Sequence, residues 1–282
     1  MFSITLENEY GERMELTHNA AYTVESTDGF DPPDAVINTT GGAGVDGSVF
    51  NSAHMENRVV TLTIAINSPA EENRLALYRY FKPKARVRFY YKTESRSVYC
   101  DGYVQTMPID YFGKKEIIQV TAVCPNPYLI NTQESVTDFS YVEALFEFPF
   151  SIGSSGEAFS ELHTTQEETV HNDGDLETGA LIELHATGAV QYPEVMCADT
   201  GEFIKVDINM VAGDSLIINT RKKQKSITLV HAGVSTNVIG DMTPSSTFFQ
   251  LRAGDSALIV DAQSGAANIE TTVTIEGHFA GV

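Results

Sequence analysis

Apolar and polar residues alternate with period two through most of the first 130 positions, the signature of half-buried strands. SITLEN (Ser3–Asn8) and RMELT (Arg13–Thr17) alternate on either side of Tyr10 and Gly11, so they read as a hairpin. RVVTLTIAI (Arg58–Ile66) is β-branched at most positions, with Thr61 and Thr63 on one face and Leu62, Ile64 and Ile66 on the other. VRFYY, VYCDGYVQ and KEIIQVTAV continue the pattern. The exception is SPAEENRLALYRYF, Ser68–Phe81. Ser68 can cap, Pro69 suits the first helical position, and Glu71 completes a capping box. Leu75 with Tyr78 and Leu77 with Phe81 form apolar pairs, and Pro83 stops the run, so the spacing predicts one helix of about four turns.

The segment CPNPYLINTQES, residues 124–135, carries two prolines and a run of turn-forming polar residues, which marks a domain boundary near residue 130. Beyond it the helical signal disappears. TGALIELHATG, EVMCADTG, EFIKVDINMVAGDSLIINT, SITLVHAG, TFFQLRAGDSALIVDA and TTVTIEGHF read as short strands between Gly, Asp, Asn and Ser turns. That spacing predicts an antiparallel sandwich or jelly roll. The expected fold is therefore mainly β: a first domain, 1–130, β-sandwich-like with one helix, and a second, 131–282, an antiparallel sandwich. The pattern leaves open whether the last strand stays with the second domain or returns to the first.

Charge sharpens the division. Residues 1–130 hold 12 Lys and Arg against 16 Asp and Glu, while residues 131–282 hold 6 against 22, within a chain of net charge -20. From 131 to 204 there are 15 acids and no Lys or Arg, and such a surface repels nucleic-acid phosphates. Eight basic residues of the first half fall between Arg74 and Arg96, opposed there only by Glu94. No apolar run approaches the roughly 18 residues of a membrane span. Glu7, Glu9 and Glu12 occupy the start, where a signal peptide needs basic and then apolar residues, so synthesis in a cytoplasm is expected.

Catalytic signatures are missing. The chain has no GxSxG, no Walker A loop, and no GxGxxG opening a helix. The glycines of GGAGVDG (Gly41–Gly47) precede no helix that would receive a phosphate, and fit a mobile or inter-subunit loop better. Cys100, Cys124 and Cys197 are too scattered for a disulfide framework and read as buried thiols. Asp173, Asp175 and Glu177 do not follow the spacing of a calcium loop. No metal, cofactor or catalytic residue is expected.

From Asp28 to Arg58 the chain reads DGFDPPDAVINTTGGAGVDGSVFNSAHMENR, with a GxDGSxFNS-like core from Gly44 to Ser52. Followed by the strand, the helix and the basic strand block, this layout resembles the N-terminal domain of the distal tail (Dit) proteins of long-tailed, non-contractile phages. HNDGDLETGALIEL (His171–Leu184), AGDSLIINTRKKQ (Ala212–Gln224) and FFQLRAGDSALIV (Phe248–Val260) resemble their C-terminal domain, a galectin-like or carbohydrate-module-like β-sandwich. The resemblance departs at the acidic, phenylalanine-rich segment 134–168.

The resemblance implies a non-enzymatic hub: a virion protein of the tail tip, assembled in the host cytoplasm. Its N-terminal domain would close a homo-hexameric ring between the tail tube protein and a tail-associated lysin or baseplate hub. Its second domain would project outward as a spacer or as the attachment point for a receptor-binding protein, with no nucleic-acid sequence recognition and no membrane. Ring contacts are expected on the glycine-rich loop and on the strand block after the helix, with Asp46, Gly47, Arg58, Arg86 and Arg88 as the interface set. The competing function is a carbohydrate-binding module for host-surface adhesion. A sugar platform would have to use tyrosines such as Tyr141 or Tyr192, because the chain has no tryptophan.

Overall fold

The structure, a computed structural model, describes residues 2–44, 46–111, 113, 115–144, 160–164 and 166–282, with the backbone alone for 140–144 and 160–164. The chain divides into two compact units, residues 1–133 with 278–282, and residues 134–277. Both are antiparallel β structures, and the first carries an α-helix. No helix among the described residues is long and apolar enough to cross a membrane.

The strands of the first unit are β1 (Ser3–Asn8), β2 (Arg13–Glu15), β3 (Tyr22–Asp28), β4 (Ala35–Thr40), β5 (Val49–Met55), β6 (Arg58–Ile66), β7 (Arg86–Lys92), β8 (Ser97–Thr106), β9 (Ile109–Asp110), β10 (Glu116–Cys124) and β11 (Leu129–Asn131). The main sheet runs β2-β1-β7-β8-β10-β6-β3, with β9 on β10 and β11 on β8. The expected β1–β2 hairpin forms, pairing Glu7 with Arg13 around Gly11. Alternation holds in β6, where Val60, Leu62 and Ile64 are buried and Thr61 and Thr63 are half-buried. Ile4, Leu6, Val87, Phe89, Val98 and Cys100 line the inner face of β1, β7 and β8 and join one core.

The helix differs from its sequence expectation. The helix α1 spans Ala70–Leu77, eight residues, and no side chain caps its start. Pro69 is extended, with ψ 116°, so helical geometry begins one residue later and Ser68 falls outside the reach of a cap. The helix stops before Tyr78, and a turn carries the chain to Phe81 through hydrogen bonds from the Tyr80 and Phe81 N–H groups to the Leu77 carbonyl. Leu77 and Phe81 are buried as anticipated, whereas Leu75 is 53% exposed.

The Asp28–Arg58 stretch is also more ordered than a loop. β4 and β5 pair antiparallel as a separate two-stranded sheet, with a register shift between Asn38 and Thr39 and a glycine-rich tip between them. β-branched residues in both arms supply the strand preference.

In the second unit the strands are β12 (Ser135–Asp138), β13 (Ser140–Ala144), β14 (Ser160–Thr164), β15 (Glu167–Asn172), β16 (Ala180–Ala186), β17 (Val190–Cys197), β18 (Phe203–Lys205), β19 (Asn209–Met210), β20 (Ser215–Asn219), β21 (Ser226–His231), β22 (Val234–Asn237), β23 (Gly254–Ser264) and β24 (Ile269–Ile275). One sheet runs β12-β24-β16-β20-β21-β22, another β15-β23-β17-β18 with β19 on β17, and β13–β14 form a hairpin. Ile182, Leu184, Leu216 and Val273 of the first sheet share a core with Val195, Leu258 and Val260 of the second. The expectation about the 134–168 segment lies outside the described residues from 145 to 159.

TTVTIEGHF is divided between the units. Its first part is β24, while His278–Phe279 forms a short last strand on β11, back in the first unit. A fragment ending near residue 131 therefore lacks a strand of its own sheet. Residues 134–277 alone are expected to unfold in one cooperative step, and residues 1–133 alone to melt below the same unit in the intact chain. Calorimetry of both fragments and the parent checks this; equal melting of 1–133 and the intact first unit would show that the returning strand contributes nothing.

Candidate assembly surface

The base of the β4–β5 hairpin is organised by Arg58, which opens β6 and is 1% exposed. Its Nε donates to the Pro127 carbonyl at 2.8 Å, one terminal nitrogen to the carbonyls of Gly29 and Asp31, the latter at 2.8 Å, and the other to Ala280 at 2.6 Å. Burial lowers its pKa, opposed by the nearby Cys100, Cys124 and Asp31. Gly29 belongs to the same junction. With φ 91° and a hypothetical Cβ only 2.0 Å from the Val59 carbonyl oxygen, no other residue fits there. Arg96 fastens the returning tail again by donating to the Gly281 carbonyl at 2.6 Å. Around this junction opens a cleft of about 330 Å³, lined by Asp28, Asp31, Asp34, Glu56, Asn57 and Val59 among others.

Beyond the cleft the hairpin is almost wholly exposed, and three of its large apolar residues stand in solvent: Ile37 at 56%, Val49 at 71% and Phe50 at 62%. Asp46 and Gly47 sit at its tip, Gly47 with φ 88°.

The outer face of β1, β7 and β8 is a network of arginine, carboxylate and tyrosine. Arg88 holds Asp101 with two bonds of 2.8 Å, and Arg86 reaches the same carboxylate at 3.0 Å. Arg13 bonds Glu7 at 2.6 Å and the Tyr90 hydroxyl at 2.7 Å. Guanidinium groups also lie over rings, Arg88 over Tyr99 at 4.2 Å and Arg13 over Tyr90 at 4.5 Å. The bond to Asp101 raises the Arg88 pKa, and although burial pushes the Asp101 carboxyl upward, its arginine partners bring it below the usual range.

The residues expected at the interface differ in what they touch within the unit. Arg58 presents no charge to a neighbour, because its donors all point into the unit that contains it. Arg86 and Arg88 are engaged with Asp101, so reversing them would place carboxylates against a carboxylate and disturb the sheet itself. Asp46 and Gly47 remain exposed. Sequence reading missed the apolar arms of the hairpin, although Val36, Ile37, Thr39 and Thr40 before its glycines carried a strand signal. Within the basic block read from the sequence, Arg79, Lys82, Lys84 and Lys92 are exposed and form no ion pair among the described residues.

The second unit presents no metal centre: among the described residues no group of three or more His, Cys, Asp or Glu is placed to hold an ion. Asp173 lies 3.3 Å from the His171 ring, whose other nitrogen meets Asp255 at 2.5 Å, and Glu177 pairs with Lys222 at 2.7 Å. Cys100, Cys124 and Cys197 are buried and unbridged, and the hydrogen bond with the neighbouring Cys124 thiol, together with burial, raises the Cys100 pKa. Tyr192 is half-buried with φ 52°, its N–H bonded to the Ile208 carbonyl. The Tyr141 side chain lies outside the described residues.

Comparison with known proteins bears on the second unit first. Residues 173–276 match the siphovirus-type tail component, C-terminal domain. The chain resembles a distal tail protein of siphovirus-type tails. In fold it is similar to the Dit protein of phage SPP1, with a TM-score of 0.69 at 14% identity, covering 99% of this chain and 99% of that one. It is also similar to a chain of the phage P2 baseplate in its activated conformation with Ca, with a TM-score of 0.51 at 11% identity, covering 97% and 98%. A search of curated proteins returns no match. The SPP1 likeness spans both units, and the mainly β, antiparallel architecture agrees with the Dit fold.

Replacing Arg58 by Met should lower the unfolding free energy of the first unit by about 3 kcal/mol, because buried carbonyls lose their donors. Denaturant unfolding of the intact chain measures it, and a loss within error of zero would remove Arg58 from its organising role. The hydrogen bond that the His171 ring donates to the Asp255 carboxylate raises the His171 pKa. The stability that this ion pair supplies is thus complete below the ordinary histidine pKa and is lost as pH rises through the elevated value. An NMR titration should find the His171 midpoint above that of an unpaired histidine, and Asp255→Asn should bring it down.

Proposed function

We propose that this chain is a structural component of a phage tail: a non-enzymatic hub at the tail tip, built into the virion from copies made in the host cytoplasm. The observation that carries this reading is the agreement of the whole two-unit fold with SPP1 Dit, together with the tail-component match in the second unit. SPP1 Dit is described as a paradigm of the hub of the adsorption apparatus in phages that infect Gram-positive hosts.

In this reading the first unit closes a six-membered ring. One side of the ring meets the tail tube, and the other meets a tail-associated lysin or baseplate hub. A ring uses heterologous contacts, in which one surface of a copy meets a different surface of the next. An exposed hairpin rooted on a rigid junction is suited to one side of such a contact. The second unit, strongly acidic, serves as the attachment point for other tail proteins such as a receptor-binding protein.

The test is the molar mass of the intact chain in solution by multi-angle light scattering, joined to negative-stain imaging. A closed particle of six copies is expected. A monomer at every concentration, or an open series of sizes, would sink the ring.

A further inference from the structure

Resting on the reading of the second unit as an attachment point, we infer that the turn between β20 and β21 is where another tail protein docks, through a short segment rich in Asp and Glu. Lys222, Lys223 and Lys225 supply the contact.

Charge in the second unit is sorted by place. Residues 134–277 hold six Lys and Arg, and four of them, Arg221, Lys222, Lys223 and Lys225, fall within this one turn. The three lysines are exposed. A concentrated cationic turn on an otherwise anionic unit attracts a partner of one sign at one spot.

The turn holds these charges on a fixed backbone. Thr220 at its start is fully buried; its hydroxyl accepts from the Ala180 N–H at 2.8 Å, and its carbonyl accepts from the Gln250 side-chain amide at 2.8 Å. The Arg221 N–H donates to the Asn219 side-chain oxygen at 3.0 Å, and the Gln224 N–H to the Arg221 carbonyl at 3.1 Å. Gly179 packs so closely on this backbone that a Cβ there would lie 2.4 Å from the Arg221 nitrogen. Lys223 has φ 68°, in the left-handed region that glycine adopts at lower cost, so the sequence keeps a cation where a glycine would be less strained.

Partners within the unit leave most of this charge available. Arg221 meets Glu276 at 3.2 Å, and Lys222 meets Glu177 at 2.7 Å with both side chains 60% exposed, a pairing that water and salt weaken. Lys223 and Lys225 form no ion pair among the described residues, and the Lys225 ammonium lies 5.3 Å from the centre of the Phe248 ring. The shape of the charge selects the occupant. A long polyanion would have to run past the acids of the same unit, whereas a segment with a few carboxylates touches the turn alone. The net charge of the unit likewise opposes a second copy as the occupant.

The experiment uses the full chain, with fluorescent octaglutamate as the probe, inorganic polyphosphate of equal charge as its competitor, and two variants whose thermal unfolding matches the wild type. Anisotropy gives the affinity. The wild type should bind octaglutamate with an affinity that falls as salt rises. Lys223→Gln with Lys225→Gln should weaken binding by about tenfold or more, while Lys82→Gln with Lys84→Gln, an exposed pair in the first unit, should leave it unchanged. Hydrogen exchange should slow at residues 219–226 when the probe is bound. Absence of binding, or equal loss in both variants, overturns the docking turn. Preference for polyphosphate over octaglutamate overturns the acidic segment as its occupant. A chain that closes a six-copy ring yet binds no octaglutamate overturns this inference and leaves the hub standing; one that binds through the turn but never assembles sinks the ring and supports the turn.

Discussion

A cation without a carboxylate partner lies at the centre of the first unit. Arg58 is buried beside two thiols, and its charge is met by carbonyl oxygens of Gly29, Asp31, Pro127 and Ala280. Moving a guanidinium out of water costs several kcal/mol, so the arrangement persists only because the carbonyl dipoles converge on it. Lysine could not replace it, since one ammonium cannot span acceptors that come from separate segments of chain. The consequence is topological. One side chain joins the entry to the exposed hairpin, the strand that follows the hairpin, the approach to the second unit, and the tail that returns from it. The hairpin stands in solvent on a root that the Arg58 bonds tie to the rest of the unit.

The second unit relies on a different economy. Its core is made by plain alternation on two sheets, Ile182 and Leu184 on one and Leu258 and Val260 on the other, with polar caps at the turns. Asp214 illustrates the caps: it is buried at 4% exposure, accepts from the Val211 N–H at 2.9 Å, and meets His231 at 2.6 Å. Burial pushes its carboxyl upward, but the bonds from Val211 and His231 prevail and lower it. A fold specified by alternation and turn chemistry tolerates wide substitution. That is the physical reason a chain only 14% identical to SPP1 Dit reproduces its fold at a TM-score of 0.69.

Much of this architecture was legible in the sequence. Period-two patterns located β1, β2, β6, β7, β8 and β10 and most strands of the second unit, since each buries one face against a core. Three features were not, for separate reasons. The capping box at Ser68 failed because Pro69 adopts an extended backbone, which tertiary packing selects and local propensity does not report. The hairpin arms were hidden by the glycines and aspartates between them, whose turn chemistry dominates the composition of the whole stretch. Arg58 read as one more exposed cation of a strand start, for nothing local distinguishes a guanidinium bound to carbonyls 27 and 222 residues away. The expected assembly residues divide along the same line: Asp46 and Gly47 lie at an exposed tip, while Arg58, Arg86 and Arg88 are engaged within the protomer.

Internal pairing of the arginines gives the remaining charges their meaning. A sheet face in which Arg13, Arg86 and Arg88 are matched to Glu7 and Asp101 is nearly neutral at a distance, however basic its sequence looks. Such pairs are local, and screening with a Debye length of about 8 Å at physiological salt confines whatever field remains. In the proposed ring, long-range guidance between copies must then come from charges that form no ion pair among the described residues, and both units carry them. Residues 131–282 carry 22 acids against 6 bases, so like units repel wherever copies are held together. In the proposed ring, contact between copies therefore falls to the first unit, where opposite charges are left unpaired on separate segments. The second unit's charge works against any self-contact of its own.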